Sequence, residues 1–134
     1  MKNPFDENKI TIAKTLAENN SLGAPFSACI YYQGIYYWEV NRTSTQNNPT
    51  SHAEICAISH VCKLLGLYTL KGADILCSGE PCGMCLNAIA WAGIENIYYI
   101  DDFKVATKKG YKYDCDSKKL NKFLKLNINI AKII

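Results

Sequence analysis

Apolar and polar positions alternate along this chain with two different periods, and the changes of period mark out its elements. Phe5, Ile12, Ala13, Leu16 and Ala17 make an apolar stripe at helical spacing. Asn3 is placed to cap this first helix, with Pro4 at its first position and Asp6 and Glu7 suited to the positive end of its dipole. Gly23 and Pro25 mark the loop that follows. Phe26 to Tyr32 reads as a strand, Gln33-Gly34 as a tight turn and Ile35 to Val40 as the hairpin partner. Residues 41–51 are polar, contain Pro49 and read as a loop. From about His52 the period is helical again, with Ile55, Ile58, Ser59, Cys62 and Leu65 on one face and Gly66 as the stop. Ala73 to Cys77 reads as a short buried strand, Ser78-Gly79-Glu80 as a turn, and Pro81 as the start of a helix that runs to about Ala92. Asn96 to Ile100 is an aromatic, apolar strand. Asp102 to Lys109 is a short helix or irregular crossover, Ser117 to Lys125 a helix capped by Ser117, and Leu126 to Ile134 a last strand.

Strands and helices that alternate in this order predict an α/β fold, a sheet covered by helices. No repeat, low-complexity stretch or linker divides the chain, so residues 1–134 are expected to form a single domain. Apolar residues make up 49% and charged residues 20%, which excludes a disordered chain. The net charge of +3 is too mild to indicate a nucleic-acid partner. Lys118, Lys119, Lys122 and Lys125 fit a solvated helix face. No apolar run approaches the roughly 20 residues of a membrane span, and Met1-Lys2-Asn3-Pro4 leads into a charged amphipathic stretch with no secretory signal. The expectation is a cytoplasmic protein whose seven cysteines are reduced thiols or metal ligands. Cys29, Cys56, Cys62 and Cys77, set among apolar neighbours, read as buried small hydrophobes.

The chemistry is concentrated in two short segments, His52-Ala53-Glu54 and Pro81-Cys82-Gly83-Met84-Cys85. One histidine and two cysteines supply three ligands to a tetrahedral zinc, and a catalytic zinc leaves its fourth position to water. Cys82 and Cys85 are i and i+3, on one face of one helical turn. Each segment opens a predicted helix, where the dipole favours thiolate over thiol. Glu54 is not needed to hold metal, but it is placed to move protons. A closed structural zinc site would recruit a fourth ligand from His60, Cys56, Cys62 or Cys115, and would leave Glu54 without a task. A redox C-x-x-C pair would leave both His52 and Glu54 unexplained.

The pairing of H-x-E with P-C-x-x-C is the signature of zinc-dependent nucleobase deaminases, and the chain resembles the cytidine deaminase superfamily. Residues 47–54 and 79–92 look most like bacterial guanine deaminases and their close relatives. The resemblance implies a three-layer α/β/α sandwich around a five-stranded mixed sheet, and a homodimer with the active site near the subunit boundary. It implies zinc on His52, Cys82 and Cys85, with Glu54 as the proton shuttle. For the substrate it implies contacts from Asn41, Phe26, Ala53, Trp91 and Asp114. From its position alone Asn41 reads as a turn residue after the strand, and the resemblance is what favours substrate contact, while Phe26 and Trp91 read equally as buried core. The implied substrate is a small purine or pyrimidine, guanine first, converted to xanthine and ammonia. Cytosine, adenine, guanosine and adenosine in tRNA are the alternatives, as is a binding module that has lost turnover. Two departures bear on the base. Gly110-Tyr111-Lys112-Tyr113 stands where guanine deaminases have Gly-Phe-Asp-Asp, which puts Asp114 one position late, and the tail that closes the site in those enzymes is shorter here.

Overall fold

The structure is a computed structural model that describes residues 2–111 and 115–134. Helices α1 (Glu7–Glu18), α2 (Ala53–Leu65), α3 (Gly83–Trp91), α4 (Phe103–Lys108) and α5 (Ser117–Leu124) surround strands β1 (Ser27–Tyr32), β2 (Ile35–Val40), β3 (Asp74–Gly79), β4 (Asn96–Asp101) and β5 (Asn129–Lys132). The strands form one mixed sheet in the order β2-β1-β3-β4-β5. β1 runs antiparallel to β2 and β3, while β3, β4 and β5 are parallel. Gln33 and Gly34 both have positive φ (50° and 83°), as a two-residue hairpin turn of the primed type requires.

The strands bury both faces, and the two-residue period sorts their side chains between two cores. Ala28, Ile30, Ile75, Cys77, Ile97 and Tyr99 face α2 and α3, meeting Ala53, Ala57, Val61, Leu86 and Ile89. Cys29, Leu76, Tyr98 and Ile100 face the other way, against Phe5, Ala13 and Ile10. The predicted three layers are therefore present. A truncation such as Leu86→Ala in the first core carries the ~2–5 kcal/mol cost of a buried cavity.

Several expected boundaries move. Asn3 does not cap α1, because its side chain accepts from the Phe5 amide (2.8 Å) and turns the chain before the helix. Asp6 is the cap, accepting from the Lys9 amide. Asp116 takes the same position for α5 in place of Ser117. Ser78 and Gly79 do not turn but continue β3, where Ser78 Oγ accepts from the Ser27 amide and Gly79 pairs with Asp101. Pro81 lies outside α3, whose cap is Cys82. β1 starts at Ser27 and β5 is confined to four residues. No described helix is long and apolar enough to cross a membrane.

Candidate active site

The register gathers one end of the sheet into a cleft. Ala28 pairs with Cys77 and Ser27 with Val40, so the start of β1 lies beside the ends of β2 and β3. Segments entering or leaving these three strand ends carry Phe26, Asn41 and Glu80. The first turns of α2 and α3 point into the same space. The resulting narrow cleft is lined by Phe26, Ser27, Asn41, His52, Glu54, Gly79, Glu80 and Cys82. Crevices at the carboxyl ends of parallel strands are the common ligand sites of α/β sheets.

His52 and Cys82 occupy the cap positions of α2 and α3, and neither side chain makes a capping hydrogen bond. Instead they face one another. His52 Nδ1 lies 3.6 Å from Cys82 Sγ and 3.5 Å from Cys85 Sγ. Zinc bonds of about 2.3 Å to sulfur and about 2.0–2.1 Å to nitrogen, at a tetrahedral angle, place those atoms about 3.6 Å apart. Donor type and spacing both fit zinc, and these three residues are the metal-capable cluster among the described residues.

Hydrogen bonding divides the two thiols. Cys82 is pulled down to about 4, chiefly by the hydrogen bond from Cys85 and further by His52. Cys85, the donor, is pushed far above the ordinary thiol range by that bond and by burial. The structural cysteines behave differently: burial raises Cys29 to about 12 and raises Cys77 as well. Glu54 is 6% exposed, lines the cleft and stands outside the metal-capable trio. Burial, and then the Cys82 thiolate, lift its carboxyl to about 7.

The structure treats the expected substrate contacts unequally. Asn41 is 1% exposed and lines the cleft. Its Oδ1 accepts from the Ala24 amide (3.1 Å), the Thr43 amide (3.1 Å) and Thr43 Oγ1 (2.8 Å). Three donors fix which end of the amide is oxygen, and they leave Nδ2 as the group turned to the cleft. The turn reading and the contact reading thus use different atoms of one side chain. Gly23 is required beside it, since a Cβ there would overlap Asn41 Oδ1. Phe26 walls the cleft, its ring stacked edge-on against Tyr111 with centroids 5.2 Å apart. It also lies against Gly79, where a Cβ would come within 3.0 Å of the ring.

Ala53 and Trp91 do not line the cleft. The Ala53 methyl is buried in the core under α2. Trp91 is 86% exposed, which overturns both the pocket-side and the buried-face expectation. Cys85, Leu86 and Ile89 take the inner side of α3, and Trp91, seven residues after the exposed Met84, falls on the outer side. Asp114 lies outside the described residues. Glu80, Gly79 and Tyr111 were not expected at the site. A carboxylate at the end of a buried strand, directly before Pro81-Cys82, was the one available signal for Glu80.

Residues 4–101 match the cytidine and deoxycytidylate deaminase zinc-binding region. The chain belongs to that family. It is 40% identical to the guanine deaminase of Bacillus subtilis over 94 residues, 69% of this chain and 60% of that protein. It is 36% identical to a tRNA-specific adenosine deaminase of Agrobacterium fabrum over 96 residues, 71% of this chain and 62% of that protein. The matches thus span about three fifths of these curated relatives. The crystal structure of the Bacillus subtilis guanine deaminase superposes with a TM-score of 0.76 at 37% identity, covering 84% of this chain and 73% of that one.

Proposed function

We propose that this protein is a zinc-dependent hydrolytic deaminase that converts a free purine base, guanine, to xanthine and ammonia. The observation that carries the reading is the placement of Glu54. Its carboxylate is buried in the cleft beside the His52, Cys82 and Cys85 cluster without joining it. Zinc held by those three residues would act as a Lewis acid and lower the pKa of a water toward ~7. Glu54 is placed to take a proton from the water as its oxygen attacks the amine-bearing carbon of the ring. It would pass that proton to the adjacent ring nitrogen, and then carry the hydroxyl proton of the added oxygen to the amine as the carbonyl forms and the amine leaves as ammonia. A C–O bond forms, a C–N bond breaks, and one water is consumed. Phe26 offers its ring as a wall for the base, and Asn41 Nδ2 offers a donor to an acceptor on the base's edge.

The test is ammonia release by zinc-loaded protein across free bases, nucleosides and a tRNA anticodon stem-loop. Guanine is expected to head the series. Release from adenosine in the stem-loop alone would replace this reading with the tRNA one, which the Agrobacterium fabrum relative supports. Asn41→Asp retains Oδ1 for Ala24 and Thr43 but replaces the donor with an acceptor. The mismatch is expected to cost about 1–3 kcal/mol, about one to two powers of ten in kcat/KM. An unchanged kcat/KM would confine Asn41 to the turn.

We also propose a homodimer. Trp91, Phe123 and Tyr68 are largely exposed aromatic rings available to such an interface. Light scattering at micromolar concentration checks it, and a monomer mass would reject it.

A further inference from the structure

Glu80 is a buried carboxylate, 9% exposed, that the chemistry above does not use. It leaves β3 directly before Pro81 and Cys82, and it lines the cleft. Its own amide donates to Asp101 O (2.7 Å), which anchors it to the end of β4. The side chain then reaches two separate helix starts. Oε1 accepts from the Phe103 amide (3.1 Å), the first residue of α4. Oε2 accepts from the Ser117 amide (2.7 Å), the first residue of α5, and also from Ser117 Oγ. A carboxylate between two helix N-termini is held by both dipoles and by charge-assisted hydrogen bonds.

Each helix carries this hold back to the cleft. On one side, α4 accepts the Tyr111 amide on Ala106 O (3.1 Å), and the Tyr111 ring stands edge-on to Phe26. On the other side, α5 brings Leu120 against Gly83, where a Cβ would lie 3.4 Å from the Leu120 methyl, one residue after Cys82. One carboxylate therefore ties the aromatic wall of the cleft and the helix behind Cys82 to a single point.

We infer that Glu80 is a positioning residue for substrate binding, which sets the Tyr111–Phe26 wall through α4 while α5 braces the turn that carries Cys82. The inference rests on the deaminase reading for its kinetic part, but its structural part does not. Without the carboxylate, α4 and α5 lose their common anchor, and Tyr111 is no longer held against Phe26. Affinity for the base then falls, while Glu54 and the metal-capable cluster stay in place.

The experiment uses zinc-loaded full chain, with Glu80→Gln as the main variant and Ser117→Ala as a milder one that removes only the hydroxyl bond. Hydrogen exchange is followed at the amides of Phe103, Tyr111 and Ser117, zinc is measured by elemental analysis, and KM and kcat are measured for guanine. In Glu80→Gln these amides are expected to exchange at least about tenfold faster. Zinc stays at one per chain, and KM rises about tenfold with kcat changed less than about threefold. Ser117→Ala moves exchange and KM in the same direction by less. Unchanged exchange at all three amides overturns the anchor. A fall in kcat at constant KM overturns the positioning role in favour of a part in the reaction itself, and loss of zinc overturns it in favour of metal-site support. If the parent protein does not turn guanine over, the deaminase reading fails on that measurement, and the exchange data still decide whether Glu80 anchors the two helices.

Discussion

The five helices begin in two different ways. α1, α4 and α5 start at Asp6, Asp102 and Asp116, and each aspartate accepts a hydrogen bond from an amide of the first turn. α2 and α3 start at His52 and Cys82, which make no such bond. An aspartate, serine or threonine cap stabilises a helix by ~0.5–2 kcal/mol over an uncapped residue. The two helices that face the cleft forgo that stabilisation, and their first turns hold the nitrogen and sulfur atoms of one metal-capable cluster. Their place in the fold is secured by other means: Ala53, Ala57, Val61, Leu86 and Ile89 are buried against the sheet. Local helix rules are obeyed at the starts of α1, α4 and α5 and broken where a first turn holds the metal-capable cluster.

The strongest way to break this contrast is to give α3 an ordinary start. Cys82→Ser supplies a good cap with little change in size. Zinc is expected to fall from one per chain to nearly none, with turnover lost, while the metal-free protein gains about 0.5–1 kcal/mol against urea. Elemental analysis and urea melts check the two halves, and full zinc retention would remove Cys82 from the cluster. Next in size is Glu54→Ala, which tests whether the α2 start contributes more than a ligand. Turnover should drop by at least ~10²–10⁴-fold with zinc retained. A wild-type rate would make Glu54 structural. The smallest effect sharpens the other half of the contrast: Asp6→Ala should lower stability by about 1 kcal/mol and leave zinc content and KM unchanged, since α1 covers the opposite face of the sheet. A change in KM there would show that capping and chemistry are not separable in this fold.

What could be read from the amino-acid order follows the same division. The metal corner was legible because two short motifs, H-x-E and P-C-x-x-C, form one signature, although His52 meets Cys82 and Cys85 across 30 and 33 residues. The sheet was legible as short apolar and aromatic runs bounded by turn residues. The wall of the cleft was not. Glu80 meets Phe103 and Ser117 across separations of 23 and 37 residues, and Asn41 meets Ala24 across 17. No local period records such contacts. Trp91 was misplaced because the apolar character of α3 continues around the helix, so hydrophobicity alone did not separate its inner from its outer side. The starts of α1 and α5 slipped because two candidate caps stood close together in each case, and only the folded chain shows which side chain reaches the first-turn amide.

The crowding at Gly23 has a consequence for how this family can change over time. A Cβ at that position would meet not only Asn41 Oδ1 but also the Asn41 carbonyl oxygen (2.8 Å) and the Thr43 nitrogen (3.0 Å). Asn20 closes the same knot from the other side, donating to Asn41 O (2.8 Å) and Ala24 O (2.7 Å). Residues 20, 23, 41 and 43 are therefore coupled by contact, so that a change at one constrains the others. A larger residue at 23 would require the loop around 41 to be rebuilt in the same step, and with it the face that Asn41 presents to the cleft. The lining of the cleft can in this way be altered from a glycine that does not itself line it.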